Sequence, residues 1–254
     1  MQYLMPRSRR VPALACAIGL LLGGVQIAAA QSRTQDQAQA VPNACGPLAN
    51  HYGPGPFDYR NDRSKIDIVE QYHFTPEVEL LLRGKTTAYL EEDIAYTLRA
   101  FPNHPRALVA LTRLGEKTKN QQPGRLEWPI ECFYERALRF RPDDRVVRML
   151  YADYLGKRKR PKEALVQLDY VRDSLAGDDP LTRYNLGMLY LDLGRPEEAL
   201  AEARRARALG VQRRELIEQL QTRGLWREPE AGDAAAVAPA AASAPSATEA
   251  AASR

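Results

Sequence analysis

A short motif recurs in the second half of the chain at a nearly fixed spacing. The clearest case is RPKEAL at 160–165, which returns 35 residues later as RPEEAL at 195–200. Similarly, LRAFPN at 98–103 returns 40 residues later as LRFRPD at 138–143. A period in this range is typical of architectures that stack small supersecondary units around one continuous core.

Each repeat unit is predicted to contain two helices. In the last unit Asp179 can cap a helix that Pro180 begins and Gly194 ends. A second helix is expected to run from Pro196 to about Leu209, before a further glycine. The unit before it predicts a helix from residue 144 that breaks at the glycine at 156, then another over about 161–175.

The earlier units follow the same pattern less regularly. One unit places its first helix at 104–114 and its second from Ile130, with a polar insertion over 115–129 between them. A degenerate unit is expected over 71–101, with its first helix starting at Thr75-Pro76-Glu77. The acidic residues at 91–93 open its second helix, where the helix dipole favours them.

Three motif residues in the last unit, Leu186, Gly187 and Tyr190, are followed at a family-like spacing by Ala199, Ala203 and Ala206. In these residues the chain resembles the tetratricopeptide repeat family, and the resemblance covers about residues 71–211. It implies an all-α fold, a short right-handed α-solenoid of about three to four helix pairs with a capping helix at 212–223. It also implies a groove, lined by the first helix of each pair, that binds a peptide or helix of a partner protein.

The resemblance places eight candidate groove residues on the first helices of the last two units. They are Met149, Asp153, Leu181, Tyr184, Asn185, Met188, Leu191 and Asp192. The helix of the last unit is apolar on two faces, so these side chains either bind a partner or pack in the core. Met149 and Asp153 stand where family members that grip a C-terminal carboxylate carry lysine and asparagine, so that mode of binding is not expected.

The first thirty residues have the composition of an export signal. Three arginines precede an apolar segment over 11–30, which ends in small residues. We expect a secretory signal peptide cleaved after Ala30, which places the mature protein in the periplasm. An uncleaved anchor and a twin-arginine signal are the alternatives. The first thirty residues together hold three arginines and no acid, so their removal lowers the formal net charge from +4 to +1. The mature chain therefore has no overall charge that favours nucleic acid.

Two cysteines, Cys45 and Cys132, remain after that cleavage. Export to an oxidising compartment favours a disulfide between them, and two unpaired thiols are the alternative. The three histidines, His51, His73 and His104, show no metal-ligand spacing with the cysteines, so no metal is expected.

Two stretches are rich in cations. They comprise Lys157, Arg158, Lys159 and Arg160 in a predicted turn, and Arg204, Arg205 and Arg207 on a predicted helix. They either bind an anionic polymer or surface, or remain solvated near helix ends.

The segments on either side of the repeats are predicted to lack regular helices. Residues 31–70 are predicted to form a partly extended arm, because prolines and glycines interrupt them. Residues 225–254, rich in alanine, proline and serine, are predicted to form a disordered tail.

No motif for catalysis or cofactor binding is present in the sequence. The predicted function is that of a non-enzymatic periplasmic scaffold that binds another exported or envelope protein in its groove. The alternative is an accessory factor that binds polysaccharide or an anionic surface through the arginine-rich faces. A purely structural spacer is a third reading.

Overall fold

The computed structural model describes residues 44–175 and 179–227. Within those residues the secondary structure is helical, with no strand. A single 3₁₀ turn at Arg63–Lys65 precedes ten α-helices: α1 Ile66–His73, α2 Pro76–Glu79, α3 Leu90–Ala100, α4 Pro105–Thr118, α5 Ile130–Phe140, α6 Arg145–Lys157, α7 Pro161–Asp173, α8 Pro180–Asp192, α9 Pro196–Ala208 and α10 Glu215–Thr222. The prediction of an all-α helical repeat is confirmed.

The first helices of three units begin in the same way. His104, Asp144 and Asp179 are the N-caps of α4, α6 and α8, and each side chain accepts a hydrogen bond from the backbone N–H three residues later. Such a bond satisfies one of the helix N–H groups that lack a partner inside the helix. The end of α8 also follows the sequence, because Gly194 takes the left-handed φ of 71° after it.

Helix contacts establish the repeat in three dimensions. Within each unit, α4 packs on α5, α6 on α7 and α8 on α9. The first helices also touch one another in a row, from α2 through α4 and α6 to α8, and the capping helix α10 packs on α8. One apolar core runs from Phe74 to Trp226 beneath this row. The row leaves one side of each first helix uncovered by its own partner helix.

Two glycines lie inside helices, although Gly156 was expected to end one and Gly115 was expected to begin the polar insertion. Helix α6 continues through Gly156 to Lys157, and Lys159 supplies the left-handed turn at a φ of 60°. A Cβ on Gly156 would lie 2.8 Å from Leu193 Cδ2, so the glycine allows α8 to approach closely. Helix α4 likewise continues through Gly115, and it ends at Thr118 rather than Leu114. There the glycine hydrogen leaves room for the side chain of Ile130.

The beginning of the helical part also differs from the expectation. Helix α1 was not predicted, and it ends at His73. The helix expected at Thr75-Pro76-Glu77 is a single turn, after which the chain reaches α3 through an irregular segment at 80–89. Helix α10 lies within the predicted capping segment, and it buries Leu216, Ile217 and Leu220.

Chain segments at the two ends fall partly outside this description. The chain divides into two units, Met1–Gly46 and Pro47–Arg254. The expected signal peptide and most of the expected tail lie outside the described residues. In the part of the chain that the structure describes, no helix has the length and apolar character needed to cross a bilayer.

Candidate functional site: the face of the first helices

The row of first helices exposes apolar side chains at equivalent positions of the repeat. Val146 on α6 and Leu181 on α8 are 35 residues apart, and they are 48% and 51% exposed. Each is the second residue of its helix. These two large aliphatic groups are half-exposed at matching positions of two successive units, so the row has an apolar edge across α6 and α8.

The eight candidate groove residues fall into two groups. Leu181, Asn185 and Asp192 are exposed, and Asp153 and Met188 are partly exposed. The other three are buried at 5–8% exposure and pack in the core: Met149 on α6, and Tyr184 and Leu191 on α8. They support the groove from below and offer little surface to a partner.

The burial of Tyr184 has a local cause in the segment that leads into the capping helix. The guanidinium of Arg213 lies 5.6 Å from the centroid of the tyrosine ring. Burial raises the pKa of Tyr184 above its ordinary value, and the nearby charge of Glu215 acts in the same direction. Helix α10 and the segment before it therefore cover α8 on the side where a further repeat unit would otherwise pack.

A cavity of about 250 Å³ lies between α4 and α6. Its lining includes side chains that were absent from the predicted groove: Arg106, Val109, Arg113, Val146 and Leu150. Arg106 is fixed at the edge, because its Nε donates to Glu79 Oε1 at 2.8 Å. The repeat itself held the signal for these residues. Shifting the predicted Leu181 back by 35 residues gives Val146, and a further 40 gives Arg106.

A second cavity, of about 230 Å³, lies between the C-terminal ends of α6 and α8. Asp153, Lys157 and Asp192 line it together with aliphatic groups. Lys157 Nζ lies 2.9 Å from Asp153 Oδ2 and 3.5 Å from Glu116 Oε1. Burial raises the pKa of Asp192, and the negative charge of Asp153 raises it further.

The charges around this second cavity are unbalanced. Four carboxylates lie at or near Asp192, and only two cations among these groups offset them. The cations are Lys157 and Arg223, and the carboxylates are Glu116, Asp153, Asp192 and Glu215. The first-helix face thus presents aliphatic groups beside Arg106 and Arg113 in the first cavity, and it is acidic near the C-terminal ends of α6 and α8.

Most cations of the predicted basic turn are engaged within the protein. Arg160 pairs with Glu131 and Glu163, both at 2.6 Å, and Lys157 pairs as described above. The guanidinium of Arg158 lies 3.4 Å from the centroid of the Tyr154 ring. Lys159 is exposed in the turn. Their charge is largely offset locally, which reduces the field available to a distant polyanion.

The second predicted basic stretch lies on α9. Arg204, Arg205 and Arg207 are exposed there. Arg205 Nη1 lies 2.6 Å from Glu202 Oε1, a carboxylate that is itself only 1% exposed. The stretch therefore combines an ion pair within the helix with outward-facing cations.

Cys45 and Cys132 lie at disulfide distance, and both are bonded as a disulfide. Such a pair fits an oxidising compartment.

Comparison with known proteins does not assign the chain to a family. No protein-family model matches the sequence, and neither a curated protein nor a solved structure matches it. The tetratricopeptide resemblance therefore stays an inference from the motif residues of the last unit.

Proposed function

We propose that this chain is an exported scaffold of the tetratricopeptide kind that binds a segment of another envelope protein along its first helices. The observation that carries the proposal is the pair Val146 and Leu181, half-exposed at equivalent positions of successive units. A groove of this form suits an extended peptide or an amphipathic helix, because both present apolar side chains at regular intervals.

The charge of the groove specifies the partner further. Its acidic end, around Asp153 and Asp192, favours a lysine or arginine side chain of the partner. Its apolar end, around Val146 and Leu150, favours leucine-like or aromatic anchors. The expected partner segment is therefore apolar with at least one cation at one end.

Export supports the same function in a second way. A disulfide-bonded cysteine pair belongs to proteins of oxidising compartments, and the N-terminal sequence has the pattern of a signal peptide. We place the mature protein in the periplasm and its partner among exported or envelope proteins. The function we propose is binding alone.

A crosslinking pull-down from the periplasm tests the proposal. The baits are the mature chain, Val146→Asp, Leu181→Asp, and Val166→Asp as the matched control. Val166 is 64% exposed, but it lies on α7, a second helix of the repeat. We expect one discrete protein to be captured by the mature chain and by Val166→Asp, and lost from both groove variants.

Equal capture by all four baits would contradict the groove. Loss of capture in moderate salt alone would instead favour a polyanion on the basic surface, since counterion release makes such binding steeply salt-dependent. Circular dichroism of each variant establishes that the helical fold is intact.

A further inference from the structure

A third cavity, of about 570 Å³, shares no lining residue with the two groove cavities. It is bounded by Tyr52, by the end of α1, by one face of α3 and by the segments before α3 and α5. Cavities that hold small organic molecules commonly have volumes of roughly 300–1,000 Å³. Its lining combines charged groups with the aromatic rings of Tyr52, His73 and Tyr96, and neither groove cavity is lined by an aromatic ring.

Arg99 is the central cation of this cavity. Its guanidinium carbon lies 5.1 Å from the ring centroid of Tyr52 and 6.0 Å from that of Tyr96. Its Nε is buried without a hydrogen-bond partner, and no carboxylate in residues 44–175 or 179–227 forms an ion pair with it. Burial lowers the pKa of Arg99, because the nearby charge of Glu127 offsets the lost hydration only in part.

The aromatic walls around Arg99 are held in place. The rings of Tyr96 and His73 are stacked at a centroid separation of 3.7 Å. His73 Nδ1 in turn lies 2.9 Å from a carboxylate oxygen of Asp93, which is fully buried. Tyr52 is 69% exposed, so much of its ring surface remains open to a ligand.

A second cation in the cavity is already occupied. The guanidinium carbon of Arg125 lies 4.1 Å from the ring centroid of Tyr89, and its Nη1 lies 3.8 Å from Glu92 Oε1. Only Arg99 is therefore left to meet an anion. Because Glu92 and Glu127 also line the cavity, a second negative charge on the ligand would be repelled.

We propose that this cavity binds a small aromatic carboxylate. The carboxylate lies on the guanidinium of Arg99, and the aromatic ring packs against Tyr52 and Tyr96. A planar guanidinium beside tyrosine rings suits such a ligand, because one guanidinium can hydrogen-bond the carboxylate while the rings stack. This site is independent of the groove and of its protein partner.

Benzoate is the probe for the first test. Titration of the mature protein is followed by nitrogen–proton NMR at the Arg99 Nε–H and by aromatic resonances of Tyr52. We expect saturable shifts with benzoate. Acetate lacks the ring and benzyl alcohol lacks the charge, so each should bind at least about tenfold more weakly, a loss of about 1.4 kcal/mol. Inorganic phosphate, partly dianionic at neutral pH, should also bind at least about tenfold more weakly than benzoate.

Variants then locate the site. Arg99→Gln and Tyr52→Ala should each weaken benzoate binding by about tenfold. Arg204→Gln, which removes an exposed arginine from α9, should leave it unchanged. Because Tyr52 is mostly exposed, Tyr52→Ala tests the site even where Arg99→Gln disturbs folding.

Three results would overturn the proposal. They are the absence of saturable benzoate shifts in the mature protein, unchanged binding by Tyr52→Ala, and phosphate binding as tightly as benzoate.

Discussion

His104 Nε2 lies 2.9 Å from Glu70 Oε1, while Nδ1 of the same ring accepts the backbone N–H of Ala107. Because Nδ1 accepts, the proton of the neutral ring is on Nε2 and is donated to the carboxylate. The equivalent caps of the later units are Asp144 and Asp179. A histidine at this position therefore caps α4 and also ties it to α1.

Removal of this histidine should destabilise the N-terminal part of the protein. His104→Ala deletes a cap and a hydrogen bond to a carboxylate, and we expect the free energy of unfolding to fall by about 2 kcal/mol. Urea denaturation of the mature protein measures the change. His104→Asn retains a capping group and should lose less, and equal losses for the two variants would contradict a capping role.

The same contact predicts a loss of stability in mild acid. Burial lowers the folded-state pKa of His104, and the hydrogen bond from His104 lowers that of Glu70. Both groups have lower pKa values folded than unfolded, so the unfolded chain binds their protons first as the pH falls. Stability should begin to decline below about 6.5 for His104 and decline further below about 4.5 for Glu70.

Thermal unfolding between pH 7.5 and pH 4 tests this dependence. In His104→Asn the decline that begins near 6.5 should disappear, while the decline below about 4.5 remains in part. A wild-type curve that is flat between pH 7 and pH 5 would contradict the assignment.

Asp58 should be the residue on which the order of the N-terminal arm depends most. It is 1% exposed, and it accepts hydrogen bonds from Asn103 at 2.7 Å and from Arg141 at 2.7 Å. Hydrogen bonds from Arg60 and Asn103 hold the pKa of Asp58 well below its usual range, although burial opposes them. Asp58→Ala leaves these donors without their acceptor, and we expect a loss of about 3 kcal/mol.

Native-state hydrogen exchange locates that loss. In Asp58→Ala, amide protection should fall first in the arm and at the start of α6, where Asn103 also bonds Asp144 at 2.9 Å. The effect should be weaker at α9. A uniform loss across all helices would show that the arm is not a separable part of the fold.

Asp192 should be a site where stability is sacrificed for binding. Burial and the charge of Asp153 raise its pKa, so the fold disfavours the ionised form. Because the folded protein binds the proton of Asp192 more tightly than the unfolded chain does, the contribution of this carboxyl to the free energy of unfolding increases as the pH falls. The increase occurs between the raised folded-state pKa and the ordinary value of 3.8. Asp192→Asn should stabilise the protein at neutral pH by about 0.5 kcal/mol or less, since the carboxylate is largely solvated.

The same variant should bind the groove partner more weakly, because the partner loses an anion for its cation. Thermal unfolding and titration of the captured partner measure the two effects. Asp169→Asn, on a partly exposed residue of α7, is the control for a lost acidic charge away from the groove. Unchanged partner affinity in Asp192→Asn would show that Asp192 does not bind a cation of the partner.

Thiol reactivity tests the compartment. Protein recovered from the periplasm should show no free thiol under denaturing conditions, because both remaining cysteines are bonded. Cys132→Ser should lower the free energy of unfolding by about 2–4 kcal/mol. Two reactive thiols in the native protein would contradict both the bond and the oxidising compartment.

Helix positions followed from the sequence wherever local chemistry determines them. Capping aspartates, prolines at first helical positions and the glycine at 194 mark helix ends through backbone geometry that needs no tertiary partner. The positions of Gly156 and Gly115 inside helices could not be predicted from local chemistry. Their role is to admit Leu193 and Ile130 from elsewhere in the chain, and that packing overrides their local tendency to end a helix.

The candidate site was only half predictable for a similar reason. Helical periodicity identifies which residues share a face, but it does not say which of two apolar faces is covered. Tyr184 and Val146 show the difference, since the tyrosine is 5% exposed beneath the capping helix and the segment before it, while the valine stays 48% exposed. The Arg99 cavity joins the arm, two helices and an insertion, and no sequence spacing links such segments.

The most direct test of the central claim is site-specific photocrosslinking in living cells. A photoreactive amino acid is placed singly at Leu181, at Val146 and at Val166, three exposed positions of which only the first two line the first-helix face. We expect the two groove positions to crosslink to one and the same envelope protein, and position 166 not to crosslink to it. Crosslinks to that protein from position 166 alone, or equally from all three positions, would contradict binding along the first helices.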